Sequence, residues 1–204
     1  MLTLGFDTCL DKMYVVLKKD GNILASEVIE NHDNKYHSAF LISTLRDVML
    51  KNSIKPENID LIATNIGPGS FTGIRACVTV ARVMAQELGC KAVGVSSLEI
   101  LSKAYGKANT LVALDARKNS AYLYKNSEIQ GAVRLEEIQN IIKSGNYSVL
   151  TDDKMESILG GGSYQKLNLP LGETMVQLAE DKLKTLDGSW MKLKPLYIQP
   201  PPVY

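Results

Sequence analysis

Residues 2–6 and 13–17 are two short apolar segments; Asp20-Gly21 follows as a hairpin signal, and 23–29 completes a run of three strands. The apolar spacing then changes. It predicts a helix over 38–50, a strand over 59–63, a long helix over 72–88, a strand over 91–95 and a helix over 98–105. Three strands followed by alternating helices and strands imply a mixed sheet covered by helices. The second half opens the same way. Val112-Ala113-Leu114-Asp115-Ala116 parallels Leu4-Gly5-Phe6-Asp7-Thr8, and a tyrosine (Tyr14, Tyr122) stands seven residues after each aspartate. Each of those tyrosine strands then ends in lysine and a polar turn, Lys18-Lys19-Asp20-Gly21 and Lys125-Asn126-Ser127. The equal spacing points to a duplicated unit, divided as 1–106 and a smaller 107–204 whose tail returns to the first part. After Gly131 the pattern thins to an amphipathic stretch (Leu135, Ile138, Ile141, Ile142), a strand-like 147–150 and glycines at 160–162. A last helix over 173–186 and an irregular Pro200-Pro201-Pro202 tail complete the chain.

Between the 59–63 strand and the 72–88 helix lies Gly67-Pro68-Gly69-Ser70-Phe71-Thr72-Gly73-Ile74-Arg75. Its glycines let another backbone come close, Ser70 or Thr72 is placed to cap the helix, and free N–H groups at a helix start attract anions. Such a loop either cradles a phosphate or forms a strand-to-helix turn beneath a packed interface, and the second reading fits better. No lysine follows Gly73 as a P-loop requires, and the 91–95 strand ends in Ser96-Ser97 where a dinucleotide fingerprint needs an acidic residue. Pro68 stands where a hydrolase elbow needs glycine.

The helix that follows carries two apolar stripes. Ile74, Cys77, Val78, Ala81, Met84, Ala85 and Leu88 form one and Ala76, Val80 and Val83 the other, leaving Arg75, Thr79, Arg82 and Gln86 as a polar seam. The 38–50 helix repeats this, with Leu41, Leu45 and Val48 beside Phe40, Ile42 and Met49. One stripe suffices for packing on a sheet, so two imply either a helix sandwiched within its domain or a helix awaiting a partner. The second reading takes Leu41, Leu45, Val48, Ala76, Val80 and Val83 as interface residues.

Composition narrows the classes. Over 204 residues, 23 Lys and Arg balance 22 Asp and Glu, so no global positive charge recruits nucleic acid. Cys9, Cys77 and Cys90 are few and sit in apolar segments, which reads as reduced packing residues of a cytoplasmic protein. No signal-peptide pattern opens the chain, and no uncharged apolar run approaches the roughly 18 residues of a membrane span. The only histidines, His32 and His37, are five apart in a polar stretch, so no metal site is expected from them. No Ser/His/Asp constellation is readable.

The nonapeptide from Gly67 to Arg75 resembles the signature of the TsaB (YeaZ) family. Leu4-Gly5-Phe6-Asp7-Thr8, Asp115-Ala116-Arg117 and Leu193-Lys194-Pro195-Leu196-Tyr197-Ile198 resemble the same family in the same order. The resemblance implies a two-lobed α/β fold of the actin-like ATPase (ASKHA, RNase H-like) superfamily with a reduced second lobe. In that superfamily two strand-Asp turns grip phosphates and metal, which makes Asp7, Thr8, Gly67, Gly69, Ser70 and Asp115 the positions of a degenerate cofactor site. An aspartate at a strand end also simply caps its turn. Cys9 stands where the family usually has serine, Cys77 where it often has glycine, and Ser120 where it often has glutamate. The implied role is a catalytically silent subunit, without cofactor or metal, that binds and activates the TsaD transferase in tRNA threonylcarbamoyladenosine formation. TsaE joins the pair, TsaC supplies threonylcarbamoyl-AMP, tRNA is met only through the complex, and a homodimer forms when TsaD is absent. The alternatives are an independent actin-like ATPase or kinase and a glycoprotease-type peptidase.

Overall fold

The computed structural model describes residues 1–30 and 37–199. It contains two five-stranded sheets. The first has β1 (Leu2–Asp7), β2 (Met13–Lys19), β3 (Asn22–Ile29), β4 (Leu61–Asn65) and β5 (Lys91–Val95), in the order β3-β2-β1-β4-β5. The second has β6 (Thr110–Asp115), β7 (Ser120–Lys125), β8 (Glu128–Arg134), β9 (Ser148–Thr151) and the short β10 (Gly162–Ser163), in the order β8-β7-β6-β9-β10. In each, an antiparallel meander supplies three strands and parallel strands continue from the first of them. Both meanders turn on left-handed residues, Asp20-Gly21 and Asn126-Ser127, and both carry a register shift in the second hairpin, at Leu17/Lys18 and Leu123/Tyr124. A duplication of structure thus underlies the duplication of spacing.

Among the described residues, five α-helices connect strands, α1 (Leu41–Lys51), α2 (Phe71–Leu88), α3 (Ser97–Tyr105), α4 (Leu135–Ser144) and α5 (Asp153–Leu159), and a sixth, α6 (Leu171–Leu183), follows the last strand. A short 3-10 turn, His37–Ala39, precedes α1, so the regular helix starts later than the apolar spacing suggests. The side chain of His37, and His32 and Pro200-Pro201-Pro202 altogether, lie outside the described residues. Among those described, no helix is long and apolar enough to cross a membrane.

The chain divides into two compact units. Met1–Ser97 with Leu171–Leu196 form one, and Leu98–Pro170 with residues 197–199 form the other, so it is the segment through Leu196, and not the residues after it, that returns to the first part. The last helix therefore belongs to the first unit, although its place in sequence suggests the second. The reason lies in β1, whose six residues are all buried and which needs cover on both faces. Leu2, Leu4 and Phe6 share a core with Val15, Leu17 and buried residues of α1 and α2. The other face receives α6, which sits so close that a Cβ on Gly5 would fall 2.3 Å from Val176 and one on Gly172 2.7 Å from Val16. Lys18 fixes the register of α6, bonding Glu180 and Gln177 at 2.7 Å each, while the Thr3 hydroxyl donates to Glu180 at 2.9 Å. The ion pair is almost fully enclosed, so truncating either partner would leave an uncompensated buried charge.

In the second unit Leu111, Ala113, Ala121 and Leu123 face Ile138 of α4 and Met155 of α5. Besides the two-residue β10, where only a glycine cluster is readable, β8 and α5 are elements that the apolar pattern does not reveal. β8 is an edge strand with no buried position, and α5 is a single short helix started by the Asp152 side chain accepting from Met155 N–H.

Candidate functional site

Asp7 ends β1, and its carboxylate is enclosed. Oδ1 accepts the Cys9 N–H at 2.6 Å and Oδ2 accepts Asn65 Nδ2 at 2.9 Å. Asn65 ends β4, and its own Oδ1 accepts the Gly67 N–H at 2.8 Å and the Ser97 hydroxyl at 2.9 Å. One carboxylate thereby ties two strand ends to the glycine loop and to the start of α3. Burial pushes the Asp7 carboxyl above its ordinary range, against the opposing hydrogen bonds from Asn65 and Cys9. Thr8 is also buried, with its hydroxyl donating to the Gly73 carbonyl at 3.1 Å.

The glycines of the loop admit the Asp7 turn itself. A Cβ on Gly69 would stand 2.3 Å from the Cys9 carbonyl oxygen, and one on Gly73 only 1.9 Å from that of Thr8. Gly67 adds a left-handed φ of 101°. Ser70 caps α2 by accepting the Gly73 N–H, and its own N–H donates to the Cys9 carbonyl at 2.8 Å. Asp7, Thr8, Gly67, Gly69 and Ser70 are therefore brought together, with their polar groups bonded to neighbours in the same turns, Cys9, Asn65 and Gly73 among them. In a phosphate cradle the glycines leave room for a ligand. At Gly69 and Gly73 the backbone of Thr8 and Cys9 occupies that room.

Asp115 ends β6 in the other unit and has a different setting. Its Oδ1 accepts the Arg117 N–H at 2.8 Å and its Oδ2 the Lys154 ammonium at 2.6 Å, while its N–H donates to Asp152 at 2.6 Å. Burial would raise this carboxyl, but Lys154 and the Arg117 N–H outweigh it and hold the group below its ordinary range. Arg117, Lys118 and Asn119 follow with φ of 62°, 47° and 57°, three successive left-handed residues without a glycine.

α1 and α2, which share one core on the first sheet, each have one covered and one open side. Leu41, Leu45 and Val48 face inward and are at most 2% exposed, so the expectation that they meet a partner is corrected: they are core residues beneath β2. The outward apolar positions of this segment are Phe40, Ile42 and Leu50, of which Ile42 and Leu50 are 69% and 68% exposed. On α2 the stripe Ile74, Cys77, Val78, Ala81 and Ala85 is buried. Val83 is 54% exposed, Ala76 and Val80 are half-buried, and Phe71 at the helix start is exposed. Helical spacing alone does not rank two apolar stripes, and Leu50, at the end of its helix, lies in neither. Its place on one line with Ile42 and Arg46, at four-residue steps, was the signal available.

The repeated sheet order, with a strand-Asp turn in each unit, defines an actin-like ATPase type of α/β fold. A family model described as "TsaD: tRNA N6-adenosine threonylcarbamoyltransferase" matches residues 23–154. The chain belongs to this family, among the proteins called TsaB or YeaZ. It is 25% identical over 203 residues to the "tRNA threonylcarbamoyladenosine biosynthesis protein TsaB" of Escherichia coli, covering 90% of this chain and 84% of that protein. A protein of the same description from Buchnera aphidicola is 24% identical over 156 residues, 70% of this chain and 73% of its own length. Among solved structures, YeaZ from Pseudomonas aeruginosa superposes with a TM-score of 0.75 at 24% identity, covering 96% of this chain and 99% of its own.

Proposed function

We propose that this chain acts in tRNA threonylcarbamoyladenosine biosynthesis, in the cytoplasm, as a subunit that performs no chemistry and holds a TsaD transferase in its active arrangement. TsaE joins that pair, and tRNA is met through the complex. The observation that carries the reading is the open apolar side of α1 and α2. Phe40, Ile42, Leu50, Phe71 and Val83 are exposed on helices whose opposite faces already fill a core. Exposed apolar area of this kind, on rigid elements, is what a protein partner covers. The enclosure of Asp7 supports the silent part, since a carboxylate buried this completely does not reach a metal-bound nucleotide in solvent.

The test is co-purification with TsaD from the same source. Ile42→Asp and Val83→Asp should each shift folding stability by no more than about 0.5 kcal/mol, as exposed substitutions do, and the double variant should lose TsaD. Leu45→Asp is unsuitable because it places a charge in the core. Full retention of TsaD by the double variant would overturn the partner assignment. Turnover of Mg-ATP by the isolated chain, abolished in Asp7→Asn, would overturn the silent one.

A further inference from the structure

Asp7, Cys9 and Cys77 meet inside the first unit, with one carboxylate oxygen and both sulfurs all within 4.8 Å of one another. Asp7 and Cys9 lie on the β1 turn and Cys77 on the buried face of α2, and all three side chains are at most 2% exposed. We propose that these three side chains form a structural site for a thiophilic divalent cation, of which Zn²⁺ is the test case.

Geometry and donor chemistry both favour it. A tetrahedral ion at about 2.3 Å from sulfur and about 2.1 Å from oxygen needs ligand atoms roughly 3.5–4 Å apart, which lies inside the 4.8 Å that bounds these three atoms. Two thiolates with one carboxylate suit a borderline-soft cation far better than Mg²⁺ or Ca²⁺. The surrounding donors are already placed for the anionic ligands. The Thr8 N–H points at Cys77 Sγ at 3.2 Å, and Cys9 N–H and Asn65 Nδ2 serve the two oxygens of Asp7. Such outer hydrogen bonds orient ligands. An oxygen is at hand as fourth ligand in the Asn65 carbonyl, 3.4 Å from Cys9 Sγ, or in the Thr8 hydroxyl, 3.2 Å from Cys77 Sγ. On binding, the two thiol protons leave to solvent and the ion takes their place between the sulfurs, so uptake strengthens as pH rises. A closed set of protein ligands makes the ion a clamp between the turn and α2, with no position for a reacting water.

The enclosure sets the experiment. Full-length protein is refolded from denaturant with Zn²⁺ or Co²⁺, and folded protein is exposed to the same ions in parallel. After removal of loose metal, native mass spectrometry counts bound ions, and the Co²⁺ form is inspected for thiolate-to-cobalt charge-transfer absorption. The expected result is one ion per chain, charge-transfer absorption, and loss of both in Cys9→Ser and in Cys77→Ser, with Cys90→Ser unchanged. Thermal denaturation of the wild type with and without Zn²⁺ is the readout that survives if a serine variant folds poorly; a rise in midpoint is expected. Absence of a retained ion after refolding, or an ion retained equally by both serine variants, would overturn the proposal. So would a chain lighter by two hydrogens with Cys9 and Cys77 joined, which would make the pair a redox couple instead.

Discussion

Asp7 and Asp115 occupy the same place in the repeated sheet, each ending the central strand of its unit, yet the helices beside them give the two carboxylates different lives. Beside Asp7 runs α2, eighteen residues long, whose glycine-rich start is pressed against the Thr8 and Cys9 carbonyls. Its hydrogen bonds go to Cys9 and Asn65, and Asn65 passes the connection on to Gly67 and Ser97. Beside Asp115 stands α5, seven residues long and capped by Asp152, and the carboxylate meets a solvent-facing lysine. The repeated pattern thus sets the position of an aspartate, and the helix that closes over the turn decides whether it becomes core or surface.

Gly73→Ala should break the first arrangement most severely. Its Cβ would lie 1.9 Å from one backbone atom of Thr8 and 2.7 Å from another, where no side-chain rotation gives relief. A loss of about 3 kcal/mol is expected from overpacking, read as a lowered urea midpoint. A midpoint near that of the wild type would mean that α2 is free to draw back from the turn, and the tight contact would then not be what fixes Asp7.

Asp7→Asn comes next. An asparagine offers its oxygen to either the Cys9 N–H or Asn65 Nδ2, and its amide then faces the other donor. Asn65 cannot reverse to help, because its own oxygen serves the Gly67 N–H. One buried donor is left opposed at a cost of about 1–3 kcal/mol, whereas Asp115→Asn should cost less than about 1 kcal/mol. Should Asp7→Asn instead raise the melting midpoint, relief of a buried charge would dominate and the carboxylate would have a purpose other than structure.

Much of this contrast was legible before any coordinates. The strand-Asp spacing, the Asp20-Gly21 turn and the Ser70 cap are local signals, and each is where the sequence pattern places it. What stayed hidden depends on contacts between distant segments. Leu45 and Ile42 read alike along the helix, and only the sheet beneath decides that one is core and the other surface. The return of α6 follows from the two-sided burial of β1, which alternation cannot express in an all-apolar strand. Cys9 and Cys77 lie in distant segments, and nothing in their sequence neighbourhoods says that the two fall at one point.

Lys118→Gly probes the Asp115 side. With φ of 47° between two further left-handed neighbours, Lys118 bears a steric cost of about 1–2 kcal/mol that glycine avoids. Glycine also gives the unfolded chain more freedom, so the net gain should be at most about 1 kcal/mol, seen as a small rise in midpoint. A loss of stability would show that the lysine stem, and not the backbone of this turn, holds the loop that carries Asp115.

The smallest effect separates the two aspartates by sign. The Asp115 carboxyl lies below its ordinary range when folded, so its contribution is present above its unfolded pKa and is lost as pH falls through the folded value. The Asp7 carboxyl lies above its range, so its contribution is complete below the unfolded pKa and is lost as pH rises through the folded one. Acidification from neutrality to about pH 3 therefore weakens the Asp115 pair while relieving Asp7. Lys154→Met removes the cation that lowers Asp115 and leaves Asp7 untouched, so the variant should lose less stability than the wild type over that interval. Because Lys154 is 61% exposed and Asp115 25%, solvent screening limits the difference to about 0.5 kcal/mol. Urea midpoints of both proteins at the two pH values measure it. Equal acid sensitivity would mean that Asp115 owes nothing to Lys154, and its low pKa would then have to come from the Arg117 N–H in the strained turn.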